Sequence, residues 1–241
     1  MKTVMADSIQ QRINGLDWGK MQQQLWNSGY SLTEPVLSRT ECAELIGMYP
    51  DDKRFRSHIN MAQHRFGSGD YKYFAHPLPE IIADLRTDTY HHLAPVANEW
   101  NEALGVQSRF PAEHANLLKL CAAHGQIKPT PLLLHYEAGD YNCLHQDLYG
   151  EIAFPLQATV FLSRRDEDYT GGESVLVEQQ PRAQSKAEVI APHQGQMLIF
   201  TTRCRPVKGT RGYYRVSVRH GVSRVRSGVR FTLGVIFHDA A

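Results

Sequence analysis

The chain has 241 residues, 42% of them hydrophobic, with 26 Lys/Arg against 25 Asp/Glu, enough to bury one full core, and two domains are not expected. The longest apolar runs, Pro131–Leu134 and Leu233–Phe237, are far too short to span a bilayer, and M-K-T-V-M-A-D-S-I-Q-Q-R at the start holds no signal-peptide core. Cys42, Cys121, Cys143 and Cys204 are scattered without C-x-x-C or disulfide-framework spacing, so a reducing, cytoplasmic setting is the expectation.

In chain order, Asp17 is placed to cap a helix W-G-K-M-Q-Q-Q-L-W-N-S that stops at Gly29. G-Y-S-L-T-E-P-V-L then reads as a short strand. Ser38 with Glu41 forms a capping box opening a helix through Cys42, Leu45, Ile46 and Tyr49. The aromatic and Arg/His-rich segment Phe55–Phe74 predicts an irregular hairpin or lid. A long helix follows from Pro79 to Leu104, bent at Pro95, with Ile81, Leu85, Leu93, Val96 and Trp100 on its apolar side. A shorter one runs from Ala112 to His124 and ends at Gly125.

From Lys128 onward the pattern changes to seven strands separated by turn signals at Gly139, Gly171-Gly172, Gly195, Gly209 and Gly228. Helices first and strands afterwards predict an α+β fold in a single domain, residues 1–241. Its core is a β-sandwich or jelly roll over 128–241, with N-terminal helices packed outside one sheet. Residues 1–127 form the mainly helical support, with the lid-like segment at 55–74.

His145 and Asp147 stand two apart in Y-N-C-L-H-Q-D, so on an extended strand both side chains leave one face and can grip one ion. His220 shares a face with Val216 and Val218, pointing inward while Arg215 and Arg219 point outward. Two imidazoles and one carboxylate leave three octahedral positions open, the arrangement of non-haem Fe(II) oxygenases. Arg230 and Thr232, ten and twelve residues past His220, supply a guanidinium fork and a hydroxyl suited to a distal carboxylate. A buried guanidinium is costly unless paired. Each residue alone has a plainer reading: a His–Asp hydrogen bond, a core histidine, a surface arginine. Together they point to an Fe(II)/2-oxoglutarate oxygenase.

Charge is uneven although the formal net is only +1: nine Lys/Arg and no Asp or Glu lie between Arg203 and Arg230. Among them Arg211, Arg215, Arg219, Arg224 and Arg226, with Arg203, Arg205 and Lys208, flank the presumed metal strand. Phosphates neutralised there would add sequence-independent affinity; a solvated surface reads equally well. In the 55–74 segment, Arg65, Phe66, Tyr71 and Tyr73 could stack an extruded base or pack the segment down. Cys143 reads as a structural thiol, and no G-x-G-x-x-G, P-loop or G-x-S-x-G motif occurs.

The region Leu132–Phe237 resembles the catalytic core of the 2-oxoglutarate/Fe(II) dioxygenase superfamily, whose shared fold is a double-stranded β-helix. T-G-G-E (Thr170–Glu173), G-Q-M-L-I-F (Gly195–Phe200) and the segment from His220 to Phe231 follow the order of its prolyl-hydroxylase-like branch. Y-x-x-G before L-H-Q-D is similar to AlkB-type DNA dealkylases, which implies Tyr136 as a co-substrate ligand. Those proteins carry Asn two residues before that Tyr, where this chain has Leu134. Nearly the whole chain resembles a bacterial family of 2-oxoglutarate oxygenases to which oxidative demethylation of damaged DNA bases is attributed. F-G-x-G-x-Y-K-Y-F, P-T-P-L-L-L, A-G-D-Y-N-C-L-H-Q-D-L-Y-G and R-H-G-V-S-R-V-R-S-G carry that resemblance.

The resemblance implies Fe(II) on His145, Asp147 and His220, 2-oxoglutarate on Arg230, Thr232 and Tyr136, and O2 as second co-substrate. 2-Oxoglutarate would be decarboxylated to succinate and CO2 while alkylated DNA or RNA is oxidised. The alternatives are hydroxylation of a protein side chain, amino acid or small metabolite by the same chemistry, and a non-catalytic binding module. No membrane partner is expected, and the oligomeric state is not legible.

Overall fold

The computed structural model describes residues 7–147 and 150–241. Three helices, α1 (Ile9–Asn14), α2 (Trp18–Ser28) and α3 (Arg39–Gly47), come first, with β1 (Tyr30–Leu32) between the last two. Then follow β2 (Phe55–Asn60), β3 (Gly67–Ser68), β4 (Asp70–Phe74), α4 (Glu80–Ala103) and α5 (His114–Ala123). The remaining strands are β5 (Leu132–Tyr136), β6 (Tyr141–His145), β7 (Leu156–Phe161), β8 (Tyr169–Gly171), β9 (Ser174–Gln179), β10 (Lys186–Ile190) and β11 (Met197–Thr201). The last four are β12 (Cys204–Gly209), β13 (Gly212–Val222), β14 (Val225–Gly228) and β15 (Arg230–Ile236).

The helix ends follow from local chemistry. Asp17 accepts a hydrogen bond from the Lys20 N–H, and α2 closes on Gly29 at φ +76°. Ser38 and Glu41 cap α3 reciprocally, as their spacing predicts, and Ser8 with Gln11 does the same for α1. α4 continues through Pro95 as one helix and buries Ile82, Leu85, Leu93, Val96 and Trp100.

A seven-stranded antiparallel sheet in the order β1-β11-β7-β15-β5-β4-β2 faces a second sheet in the order β10-β9-β13-β6-β3, with β12 added against β13. Alternation along each strand divides the large sheet into two faces. Leu156, Ala158, Val160, Ile199, Leu233 and Val235 pack with α4 and the N-terminal helices in the main core. Gln157, Thr159, Leu198, Arg230, Thr232 and Tyr136 face the other way, into a cavity between the sheets. The result is the α+β jelly roll with helices outside one sheet.

Two expectations change in detail. The 55–74 segment is a hairpin built into the large sheet: β4 pairs with β2 on one side and β5 on the other. Its lid-like part shrinks to the turn after the buried Met61, where Arg65 and Phe66 reach the cavity mouth. Four short strands, β8, β10, β12 and β14, join the seven that the sequence pattern predicts. No helix among the described residues is long and apolar enough to cross a membrane.

Candidate metal and co-substrate site

β6 ends at His145, and the long strand β13 runs beside it with His220 directly opposite His145. That register brings the imidazole centres to 4.2 Å. The register shifts immediately after His220, at Gly221, where a Cβ would come within 2.7 Å of the Asn142 carbonyl. Only a residue without one lets the strands approach so closely. Asp147 lies just past the end of β6, with Oδ2 3.1 Å from His220 Nε2 and Oδ1 3.6 Å from His145 Nε2. One donor atom from each of the three residues falls within 4.8 Å of the others.

The electrostatics suit a cation. His145 Nδ1 lies 2.8 Å from the Cys143 carbonyl, so that nitrogen carries the proton and Nε2 keeps its lone pair toward Asp147. Burial, and then the neighbouring His220, lowers the His145 pKa and favours the neutral, ligating imidazole. For Asp147 burial works in the opposite direction, but the charge and hydrogen bond of His220, with His145 behind them, hold the carboxyl well below its usual range. It remains an anion.

The cavity encloses about 420 Å³ and runs from this triad to Arg230. Arg230 is 1% exposed, yet its Nε and Nη1 have no hydrogen-bond partner. Its guanidinium carbon stands 5.3, 5.4 and 5.9 Å from the ring centres of Tyr136, Phe161 and Tyr169. Among the described residues no carboxylate pairs with it, and an uncompensated buried cation is destabilising. Thr232, also buried, is on the same strand face. Burial pushes the Tyr136 hydroxyl up to about 12, so it stays protonated and able to donate.

The donor set therefore suits one divalent ion, and a guanidinium with two unsatisfied nitrogens suits the far carboxylate of a dicarboxylic 2-oxo acid. All six residues expected for metal and co-substrate line one cavity.

The basic residues divide. Arg211, Arg215 and Arg219 are exposed, the last two on the outward face of β13. Arg226 is exposed on β14. Arg224 donates to the Gly139 carbonyl at 2.6 Å and lies over the Tyr141 ring, which ties it to the loop before β6. Arg205 leaves the group altogether: it is buried and paired with Glu178 at 2.7 Å.

Three features were not singled out from sequence. Gln146, between the two ligands of the triplet, reaches the Arg203 carbonyl, Ser217 Oγ and the Val218 carbonyl at 2.8, 3.1 and 2.9 Å, which fastens the cavity rim to the outward face of β13. Asn142 Nδ2 lies 3.5 Å from the Tyr136 hydroxyl. Gln157 points from β7 at the triad, its Nε2 3.3 Å from His220 Nε2. The only sequence signal for Gln157 is an amide at an inward position of L-Q-A-T-V-F, visible once the strand face is known. Tyr71 and Tyr73, noted for stacking or packing, both line the cavity with their rings 5.4 Å apart and perpendicular.

Residues 69–240 match the family model Oxygenase-NA, described as "Oxygenase, catalysing oxidative methylation of damaged DNA". An uncharacterised protein of Mycobacterium tuberculosis (strain ATCC 25618 / H37Rv) is 48% identical over 168 residues, covering 70% of this chain and 72% of that protein. A prolyl-4-hydroxylase of Pseudomonas putida superposes with a TM-score of 0.54 at 13% identity, covering 90% of this chain and 96% of that one. An oxidoreductase of the 2OG-Fe(II) oxygenase family from Burkholderia pseudomallei gives 0.55 at 14% identity, covering 93% and 92%. At such identities the two structures speak for the fold. The family match takes in every strand from β4 onward, and with it the triad and the unpaired arginine. A cavity with those two ends is what an enzyme using Fe(II), 2-oxoglutarate and O2 requires, and the chain belongs to the Oxygenase-NA family of such oxygenases.

Proposed function

We propose that this enzyme oxidatively removes alkyl groups from nucleic-acid bases. His145, Asp147 and His220 hold Fe(II), and Arg230, Thr232 and Tyr136 hold 2-oxoglutarate. The observation that carries the substrate is the placement of the free basic residues. Arg215 and Arg219 share the outward face of β13 with Ser217, which Gln146 ties to the cavity rim. Among the described residues Arg203, Arg211, Arg215, Arg219, Arg224 and Arg226 form no ion pair, whereas Arg164, Arg165 and Arg205 do. Cations left free beside a catalytic mouth suit a polyanion. The family description, naming damaged DNA, supports the same reading.

Bound Fe(II), with 2-oxoglutarate and O2, supplies the oxidation of a substrate C–H bond, coupled to formation of succinate and CO2. The protein's part is placement. His145 and His220 would each supply a ring nitrogen, and Asp147 one negative charge that partly offsets the ion. Arg230 pairs the distal carboxylate of the co-substrate at the dry end, with Thr232 and the protonated Tyr136 as further donors. Tyr71 and Tyr73 form an aromatic wall that a planar base can stack against once drawn out of its strand. A methyl group hydroxylated on a ring nitrogen leaves a hemiaminal, which releases formaldehyde and restores the base.

The test is succinate formation from 2-oxoglutarate with Fe(II) in air, with and without single-stranded DNA carrying 1-methyladenine, alongside His145→Ala. Stimulation by the methylated strand alone, lost in the variant, is the expected result. Turnover that depends on His145 but ignores DNA would overturn the substrate and direct attention to protein side chains and metabolites.

A further inference from the structure

Gln157 is a buried polar residue that the proposed chemistry leaves unused. Its backbone lies on β7 between Phe200 of β11 and Ile236 of β15, and 3% of the residue is exposed. A carboxamide between two apolar neighbours has to find its hydrogen bonds inside the cavity, because leaving them unmade is costly. Among the described residues it finds two partners, and both belong to the triad. Nε2 lies 3.3 Å from His220 Nε2, and the side chain also hydrogen-bonds to the Asp147 carboxylate.

These two contacts are not equivalent once an ion is present. A lone pair on His220 Nε2 cannot serve a metal and an amide N–H together. Asp147 can serve both, because a carboxylate has two oxygens and several lone pairs. We propose that Gln157 is a positioning residue for the metal: its amide N–H holds one Asp147 oxygen and turns the other toward the ion. The carboxylate thereby stays a one-oxygen ligand and leaves room for the co-substrate. Outer partners of this type orient ligands elsewhere in metal sites. The inference rests on the His145–Asp147–His220 ligand set and is independent of the substrate.

The experiment needs neither turnover nor nucleic acid. Mn(II) is titrated calorimetrically into the full chain, and the visible absorption bands of the Co(II)-loaded protein are recorded. Gln157→Leu is expected to weaken Mn(II) binding about 10- to 100-fold and to alter the Co(II) bands, with the metal-free unfolding temperature near native. Gln157→Glu keeps the length of the side chain while losing the donor, and it too changes the Co(II) bands. A bulk packing defect would lower the unfolding temperature without changing the bands of the folded fraction, and that pattern overturns the inference. So does native Mn(II) affinity, within about threefold, with native bands in both variants. His145→Ala separates the two levels. If it abolishes Mn(II) binding while Gln157→Leu leaves it intact, the ligand set stands and the role of Gln157 falls. If the native chain binds no Mn(II), both fall together.

Discussion

Arg230 and Tyr136 face each other across the β15–β5 ladder, the guanidinium carbon 5.3 Å from the phenol ring centre. Stacking on aromatic rings offsets part of the cost of burying that cation, but it satisfies none of its N–H groups in their own plane. The pair is thus incomplete without an acceptor. Arg230→Met should leave the metal-free, ligand-free protein as stable as the native one or more so, because a desolvated charge is gone. The same change should weaken 2-oxoglutarate binding by about 2–5 kcal/mol, the range for losing one partner of a buried charge pair. Thermal unfolding and calorimetric titration of 2-oxoglutarate into the Mn(II)-loaded protein check both halves. A large loss of stability with affinity retained would assign Arg230 to the core.

Gly172 governs the approach to that arginine. It adopts φ +62°, and a Cβ there would stand 2.8 Å from Arg230 Cδ and 3.0 Å from Val225 Cγ2. Gly172→Ala combines a strained backbone, costing about 1–3 kcal/mol, with displacement of the guanidinium. The expected outcome is a lower unfolding temperature together with a raised KM for 2-oxoglutarate and an unaltered Mn(II) affinity. A raised Kd for Mn(II) would show that the disturbance spreads to the triad and is not confined to the Arg230 end.

How much of this was legible depended on whether residue type or pairing carried the signal. His145, Asp147, His220 and Arg230 announce themselves by chemistry and spacing, and the cavity gathers all four. Gln157 does not, because an amide has no metal-binding signature and its inward direction emerges only from pairing with Phe200 and Ile236. Phe55–Phe74 is ambiguous in sequence for a similar reason. Its aromatics and arginines leave an irregular hairpin and a lid both open, and pairing of β4 with β5, far along the chain, makes it a hairpin within the sheet. β12 was hidden by Pro206, a residue that argues against a central strand. β12 is accordingly an added strand, paired with β13 alone. The basic run misled in one place: Arg205 looks like its neighbours in sequence, and only the fold shows it committed to Glu178.

The outward arginines make a prediction in salt. If Arg215 and Arg219 each neutralise one phosphate of a single strand, log Kd against log salt should lose roughly 0.7 in slope per arginine removed. The double variant Arg215→Ala/Arg219→Ala should therefore lose roughly 1.4, measured by fluorescence anisotropy of a labelled oligonucleotide. Arg109→Ala serves as control, since Arg109 is paired with Glu102 and lies outside the basic segment. An unchanged slope in the double variant would remove this face from the proposed nucleic-acid path.

Acid sensitivity should begin well above the carboxylate range, and its source is a pair of buried histidines, His114 and His238, close to Arg86. Arg86 is 1% exposed and pairs with Asp239 at 2.7 Å. Burial, and then the charge of Arg86, lowers the pKa of His114 to about 3 and that of His238 to about 4. Their hydrogen bonds agree with neutral rings: His114 Nε2 lies 2.8 Å from the Phe237 carbonyl, and His238 Nδ1 accepts from the Phe154 N–H. The ordinary value for both is 6.5, so below it the unfolded chain binds protons that the folded chain refuses. Stability is then complete above pH 6.5 and falls from there toward pH 4 and below, by up to about 1.4 kcal/mol per pH unit for each histidine. Glu41 acts later. Its hydrogen bonds with Arg12 are the chief cause of a pKa lowered from 4.5 to about 2, so its contribution is present above pH 4.5 and lost as pH falls toward 2. Urea unfolding midpoints from pH 7.5 down to pH 5 isolate the histidine window. His114→Gln should make the slope there shallower, whereas Arg12→Ala should leave it unchanged. An equal slope in native and His114→Gln proteins would locate the acid sensitivity outside the Arg86 cluster.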